Sequence, residues 1–108
     1  MATRYQIQLH YQNALRQAAR RETLADNLNT AARDGIGSAM DEIRAAWTGE
    51  NADAYLKKGE QLEEKTKKTA KALKSAASAI RTIAVNTYKA EMNALEIANK
   101  RSYGGGIR

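Results

Sequence analysis

The chain has 108 residues, a net charge of +6, no cysteine and no proline; the length suggests one domain, and the missing cysteines exclude disulfides, cysteine-held zinc and thiol nucleophiles. Alanine stands at 21 positions and valine at one, so intrinsic propensity favours helix almost throughout and leaves little material for strands. No window approaches the ~18 apolar residues that span a bilayer, and the first dozen residues hold no apolar leader core, so a soluble protein is expected, with no membrane insertion and no cleavable secretory signal.

The first predicted helix covers about residues 6–46. Ala18, Ala25, Ala32, Ala39 and Ala46 recur every seven residues, and Leu15, Leu28, Ile36 and Ile43 stand three or four positions from members of that row. Small residues in a row let a second helix approach closely. Glu22 and Asn29 interrupt the stripe. Gly35 and Gly37 each weaken the helix by roughly 1 kcal/mol relative to alanine. A kink or short break is expected there, with a continuous helix held by packing as the alternative.

Trp47-Thr48-Gly49 is the clear break in the pattern. Gly49 can adopt the left-handed conformation that ends a helix, and Thr48 or Asn51 can cap the next one. Trp47 is placed to fold over the start of the second helix, near Tyr55.

The second predicted helix covers about residues 51–101. Alternating steps of three and four from Ala52 and Tyr55 pass through Gly59, Leu62, Thr66, Thr69, Leu73, Ala76, Ile80 and Ile83, and on to Ile97, meeting no charged residue. That is a seam for lengthwise packing. Off the line, Glu63–Lys67 and Glu64–Lys68 are spaced to support the helix, while Glu60–Glu64 mildly opposes it. The glycine run in residues 102–108 is read as a flexible tail.

These elements define an all-α class: one antiparallel helix-turn-helix hairpin over residues 1–101. Its apolar content is thin, with eight Leu, seven Ile, one Val and one Trp. Such a hairpin is expected to gain stability by pairing into a four-helix bundle dimer, with itself or with a sister hairpin. The expected hairpin and dimer seam is Ala18, Ala25, Leu28, Ala32, Ile36 and Ile43 on the first helix. On the second it is Leu62, Leu73, Ile80 and Ile83.

Catalytic chemistry finds little support. His10 is the sole histidine, near an end that frays, and a general base needs a positioned nucleophile and an orienting group. Asp41 and Glu42 are adjacent and diverge on a helix. Glu60, Glu63 and Glu64 share a face with lysines, which reads as a salt-bridged surface rather than a metal site. The terminal glycine run has no helix after it to hold a phosphate. No enzyme activity, small-molecule substrate, cofactor or metal is expected. Seven lysines lie between residues 57 and 74; interleaved with acids, they read first as a solvated face and second as an attraction for nucleic acid or another anionic partner. A nucleic-acid reading ranks lower, because no aromatic residues interleave the patch and no short recognition helix follows a tight turn. Weak insertion is expected at a membrane surface, since the apolar face is mostly Ala and Thr.

Trp47-x-Gly49-x-x-Ala52-x-x-Tyr55, mid-chain between two helices in a cysteine-free chain of about 100 residues, resembles the WXG100 (ESAT-6-like) family. The resemblance covers roughly residues 8–100. It implies a helical hairpin that dimerises. It also implies export without a cleavable signal by the type VII (ESX) secretion system, whose motor is a hexameric ATPase of the FtsK/SpoIIIE kind. Members act as exported effectors or as partners and chaperones of larger substrates. Trp47 and Gly49 would then be read by the secretion machinery, with Ala52 and Tyr55 packing the turn. Many actinobacterial members or their partners carry Tyr-x-x-x-Asp/Glu after the second helix. Here Tyr88-Lys89-Ala90-Glu91 falls one residue short of it, leaving Tyr103 as the candidate tail signal, a partner-supplied signal, or an adaptor that stays inside the cell.

Overall fold

The computed structural model describes the backbone of residues 2–105 and the side chains of residues 2–101. Among these residues everything is helical except Ala2, Thr3 and the turn at 47–49, and there is no strand. The elements are α1 (Arg4–Thr30), a π-helical turn (Ala31–Ile36), α2 (Gly37–Ala46) and α3 (Glu50–Gly105).

The chain opens on a reciprocal cap. The Gln6 amide donates to Thr3 Oγ1 at 3.2 Å, and the Thr3 amide donates to Gln6 Oε1 at 3.0 Å. This is a capping box, two orphan amides satisfied at once. The Ile7 amide then donates to the Thr3 carbonyl at 3.0 Å and starts the α-helical ladder.

At Gly35–Gly37 the helix neither breaks nor stays a plain α-helix: it runs on, widened. The Gly37 amide donates to the Ala32 carbonyl, five residues back, and both flanking residues keep helical dihedrals. A π-turn carries one extra residue without breaking the helix. Upstream the buried line runs Ala18, Ala25, Ala32; downstream it continues at Met40, while Ala39 and Ala46 are exposed. The extra residue rotates Ile36, Met40 and Ile43 inward, where an unbroken α-helix would have turned Gly35, Ala39 and Glu42.

The turn is short. The Trp47 amide donates to the Ile43 carbonyl at 2.9 Å, and Trp47 is itself extended, at φ −141° and ψ 133°. Gly49 has φ +107°, and its carbonyl accepts from the Asp53 amide at 3.0 Å. Gly49 thus opens α3 rather than closing α2, and Asn51 lies inside the helix instead of capping it. Glu50 and Asp53 in the first turn of α3 complement the positive end of its dipole. At the other end, α3 continues past the stop expected at residue 101, to Gly105. Extending an existing helix costs far less than nucleating one, so residues of low propensity are carried at its end.

The chain divides into two compact units, residues 20–76 and residues 1–19 with 77–108. In the first, the end of α1, the π-turn and α2 run antiparallel to the start of α3. Bridges from Lys74 to Asp26 (3.2 Å) and from Arg44 to Glu60 (3.5 Å) mark the register. In the second, the start of α1 pairs with the later part of α3, and the Tyr11 and Tyr88 rings meet with centroids 4.8 Å apart. Along α3, Lys67–Glu63 and Lys68–Glu64 form at 3.0 and 3.4 Å. The exposed Lys68–Glu64 pair contributes about 0.2–1 kcal/mol at most.

The buried line of α3 is rotated from the one expected. It passes through Ala52, Leu56, Gly59, Glu63, Thr66, Ala70, Leu73, Ala77, Ile80 and Ala84, all buried or half-buried. The companion row therefore lies four residues on from Ala52, not three. Glu63, a charge, sits on the seam. Gly37 lies opposite, where a Cβ would stand at an ordinary contact distance of 3.7 Å from Glu63 Oε2, and the charge of Glu63 is met by Lys67. Among the described residues nine are buried, seven of them alanines; the others are Ile7 and Met40.

Candidate docking surface

The turn and the strip beside it form the most distinctive surface of the unit 20–76. Trp47 is held by the extended backbone that ends α2, and Tyr55 stands just over one turn into α3. Their rings meet with centroids 5.4 Å apart and planes 42° apart, an offset geometry favourable to aromatic pairs. Both stay substantially exposed, at 44% and 59%. Ala52 lies beneath, 1% exposed.

Next to the aromatic pair runs an open apolar groove between two unequal walls. One wall is small, formed by Ala31, Gly35 and Ala39; the other, on α3, is large, formed by Tyr55, Lys58 and Leu62. Ile36, Met40, Ile43 and Gly59 make the floor. Gly59 is needed there, because a Cβ on it would come within 2.7 Å of Met40 Sδ. The π-turn decides the composition: by rotating Ile36, Met40 and Ile43 to the seam it leaves small residues as the free wall.

The other unit holds a second apolar groove. Ile7, His10 and Tyr11 of α1 face Ile83, Thr87 and Glu91 of α3 across it. His10, within α1 and exposed, lines this groove. Among the described residues no cluster of three or more His, Cys, Asp or Glu side chains forms. A paired charge that perturbs its partner lies on the π-turn. The Arg33 guanidinium forks onto Asp34, Nε to Oδ1 at 2.8 Å and Nη2 to Oδ2 at 3.1 Å. It holds the Asp34 carboxyl below the usual range, chiefly by hydrogen bonding, while Arg33 is raised in turn.

The residues expected at the seam separate into three groups. Ala18, Ala25 and Ala32 are fully buried; Leu28, Ile36, Ile43, Leu73 and Ile80 are half-buried. Leu62 and Ile83 are on the outside, 54% and 63% exposed, because the seam of α3 runs along the alanine row instead. The side chain of Tyr103 lies outside the described residues. Gly59 stands on the line expected for α3, but sequence reasoning missed Met40, its contact with Gly59 and the small wall. A signal was present: Leu28, Ala32, Ile36 and Met40 follow at successive steps of four, which a 3.6-residue period cannot keep on one line.

Set beside known protein families, curated proteins and solved structures, the chain matches none. Among the described residues no helix is long and apolar enough to cross a membrane.

Proposed function

We propose that this is a non-enzymatic helical docking protein of the type VII (ESX) secretion kind, a substrate or a partner and chaperone that works by pairing with another helical hairpin. One observation carries the pairing: the buried residues described are mostly alanine, while Tyr5, Leu24, Trp47, Tyr55, Leu62, Ile83 and Ile97 lie between 44% and 71% exposed. Burying a methyl-sized group contributes about 0.8 kcal/mol, and a large apolar side chain about 1.5–3 kcal/mol. The strongest apolar groups are therefore left for another surface. The secretion reading rests on the resemblance at Trp47-x-Gly49, supported by the exposure of Trp47 at the turn, where a second protein can reach it.

On this reading the chain is made in the cytoplasm, pairs with itself or a sister hairpin in a four-helix bundle, and is exported uncleaved by the type VII ATPase. The test is its presence in washed culture medium of its native cells, with and without a working ATPase, against a cytosolic marker for lysis. Appearance outside only with the working ATPase supports export; retention in both strains refutes it and leaves an intracellular adaptor. In the same assay Trp47→Ala and Gly49→Ala are expected to remain helical by circular dichroism yet lose export.

A second reading draws on the basic face of α3. Lys57, Lys58, Lys65 and Lys71 are exposed, and a nucleic-acid adaptor would bind through them with steep salt dependence.

A further inference from the structure

The excess positive charge of the chain does not lie where its lysines are densest. Residues 20–76 hold eleven Lys and Arg against ten Asp and Glu, whereas residues 1–19 and 77–108 hold seven against two. The latter unit therefore carries five of the six net positive charges. Of its two acids, Glu91 lines the apolar groove with Ile7 and His10, and Glu96 is engaged by Lys100 at 3.8 Å. Tyr5, Tyr11 and Tyr88 belong to the same unit, so aromatic rings accompany the charge here, as they do not between residues 57 and 74.

Two open recesses of this unit join at Tyr88. One, of about 520 Å³, is lined by Tyr88 with Tyr5, Gln8, Gln12 and Arg16 of α1. The other, of about 380 Å³, is lined by Tyr88 with Lys89, Asn93 and Asn99 of α3 and by Arg4; Glu96 borders it. Steps of three and four put Tyr5, Gln8, Gln12 and Arg16 on one side of α1. Tyr5 is 71% exposed. Tyr11 packs on Tyr88 with centroids 4.8 Å apart, which steadies the ring the two recesses share. Arg4, Arg16 and Lys89 are exposed, and among the described residues no acid pairs with any of them; Arg16 donates to Asn13 Oδ1 at 3.1 Å.

We propose that this face binds single-stranded nucleic acid, with Arg4, Arg16 and Lys89 on phosphates and Tyr5 stacked on a base. Arg4 and Arg16 stand about 18 Å apart along α1, the reach of a strand of a few nucleotides. A duplex hides the faces of its bases, so only a single strand uses an exposed ring. Side-chain amides both donate and accept, as base edges do. An acidic peptide would engage the cations and leave the rings without a stacking partner. A bilayer calls for a broad apolar face beneath the basic residues, whereas tyrosines and amides alternate with the charges here. The proposal is independent of the pairing and secretion readings, and it places nucleic acid on the other unit from Lys57, Lys58, Lys65 and Lys71.

The test is fluorescence anisotropy of the full chain with a labelled oligonucleotide of about a dozen nucleotides, single-stranded or duplex, over a range of salt concentrations. The single strand is expected to bind more tightly than the duplex, with log K falling against log salt at a slope of about −2, the counterion release from three phosphates. Arg4→Gln, Arg16→Gln and Lys89→Gln are each expected to flatten that slope by about 0.7. Tyr5→Ala is expected to weaken binding about tenfold at an unchanged slope, and Tyr5→Trp to restore it. The double variant Lys57→Gln/Lys65→Gln removes charge from the other unit and is expected to leave binding nearly unchanged. Far-UV circular dichroism verifies that every variant stays helical. No binding at the lowest salt, a duplex held as tightly as a strand, normal binding by Tyr5→Ala, or equal loss from the Lys57/Lys65 variant overturns the proposal. Displacement of the probe by polyglutamate or by phosphatidylglycerol vesicles as readily as by unlabelled strand overturns it too, in favour of an acidic protein or a membrane surface. The export assay reads a different property, so failure here leaves the secretion reading standing.

Discussion

Two glycines, Gly35 and Gly49, show how backbone geometry decides a substitution. Gly49 sits at φ +107°, where a Cβ is strained, so Gly49→Ala is expected to lower stability by about 1–2 kcal/mol. Gly35 keeps negative φ, and a Cβ there would meet nothing within 4 Å. Gly35→Ala is expected to raise stability by about 0.5–1 kcal/mol, because it restricts the unfolded chain at no steric cost. Urea unfolding followed by circular dichroism checks both, and the same sign for the two variants would contradict the assigned backbone. At Asp34 the Arg33 fork lowers the carboxyl pKa, so its contribution is present above the unfolded value and fades as pH falls through the folded one. In an NMR titration Asp34 is expected to move up towards the usual carboxylate range in Arg33→Gln; an unchanged midpoint would mean the fork does not form in solution.

At the scale of elements, the helices and the turn were legible because they rest on local signals: alanine richness, heptad spacing and a glycine beside a tryptophan. The phase of α3 was not. Avoiding charges selects the row of Tyr55, Leu62 and Ile83, but close approach to Ala18, Ala25 and Ala32 favours the row of Ala70, Ala77 and Ala84. Glu63 joins the buried line opposite Gly37 with Lys67 meeting its charge, a fact of pairing that neither segment states alone. The site was legible in part: the contact of Trp47 with Tyr55 follows from the short turn, whereas the groove depends on the one-residue shift in the π-turn. That shift is testable. Deleting Gly35 is expected to convert residues 31–36 to plain α-helix with Met40 and Ile43 still facing α3, leaving helicity intact and the unfolding midpoint unchanged or higher. Inserting an alanine after Gly35 adds a second extra residue and turns Met40 off the seam, at a cost of about 2 kcal/mol or more. Equal damage from both would show that the π-turn is not what sets the phase.

For the molecule as a whole, the alanine seam has a calorimetric consequence. The heat-capacity change on unfolding grows with the apolar surface released to water, and ordinary domains show about 12–15 cal/mol/K per residue. A chain whose fully buried residues are mostly alanines, with leucine, isoleucine and tyrosine left outside, has little such surface to release. Dilute protein is therefore expected to fall below that range in scanning calorimetry, with a broad transition. Concentrated protein should approach the range as the large side chains become covered, and its transition should sharpen and move to higher temperature. Heat capacity thus becomes a measure of how much of this protein's core is supplied by whatever binds to it.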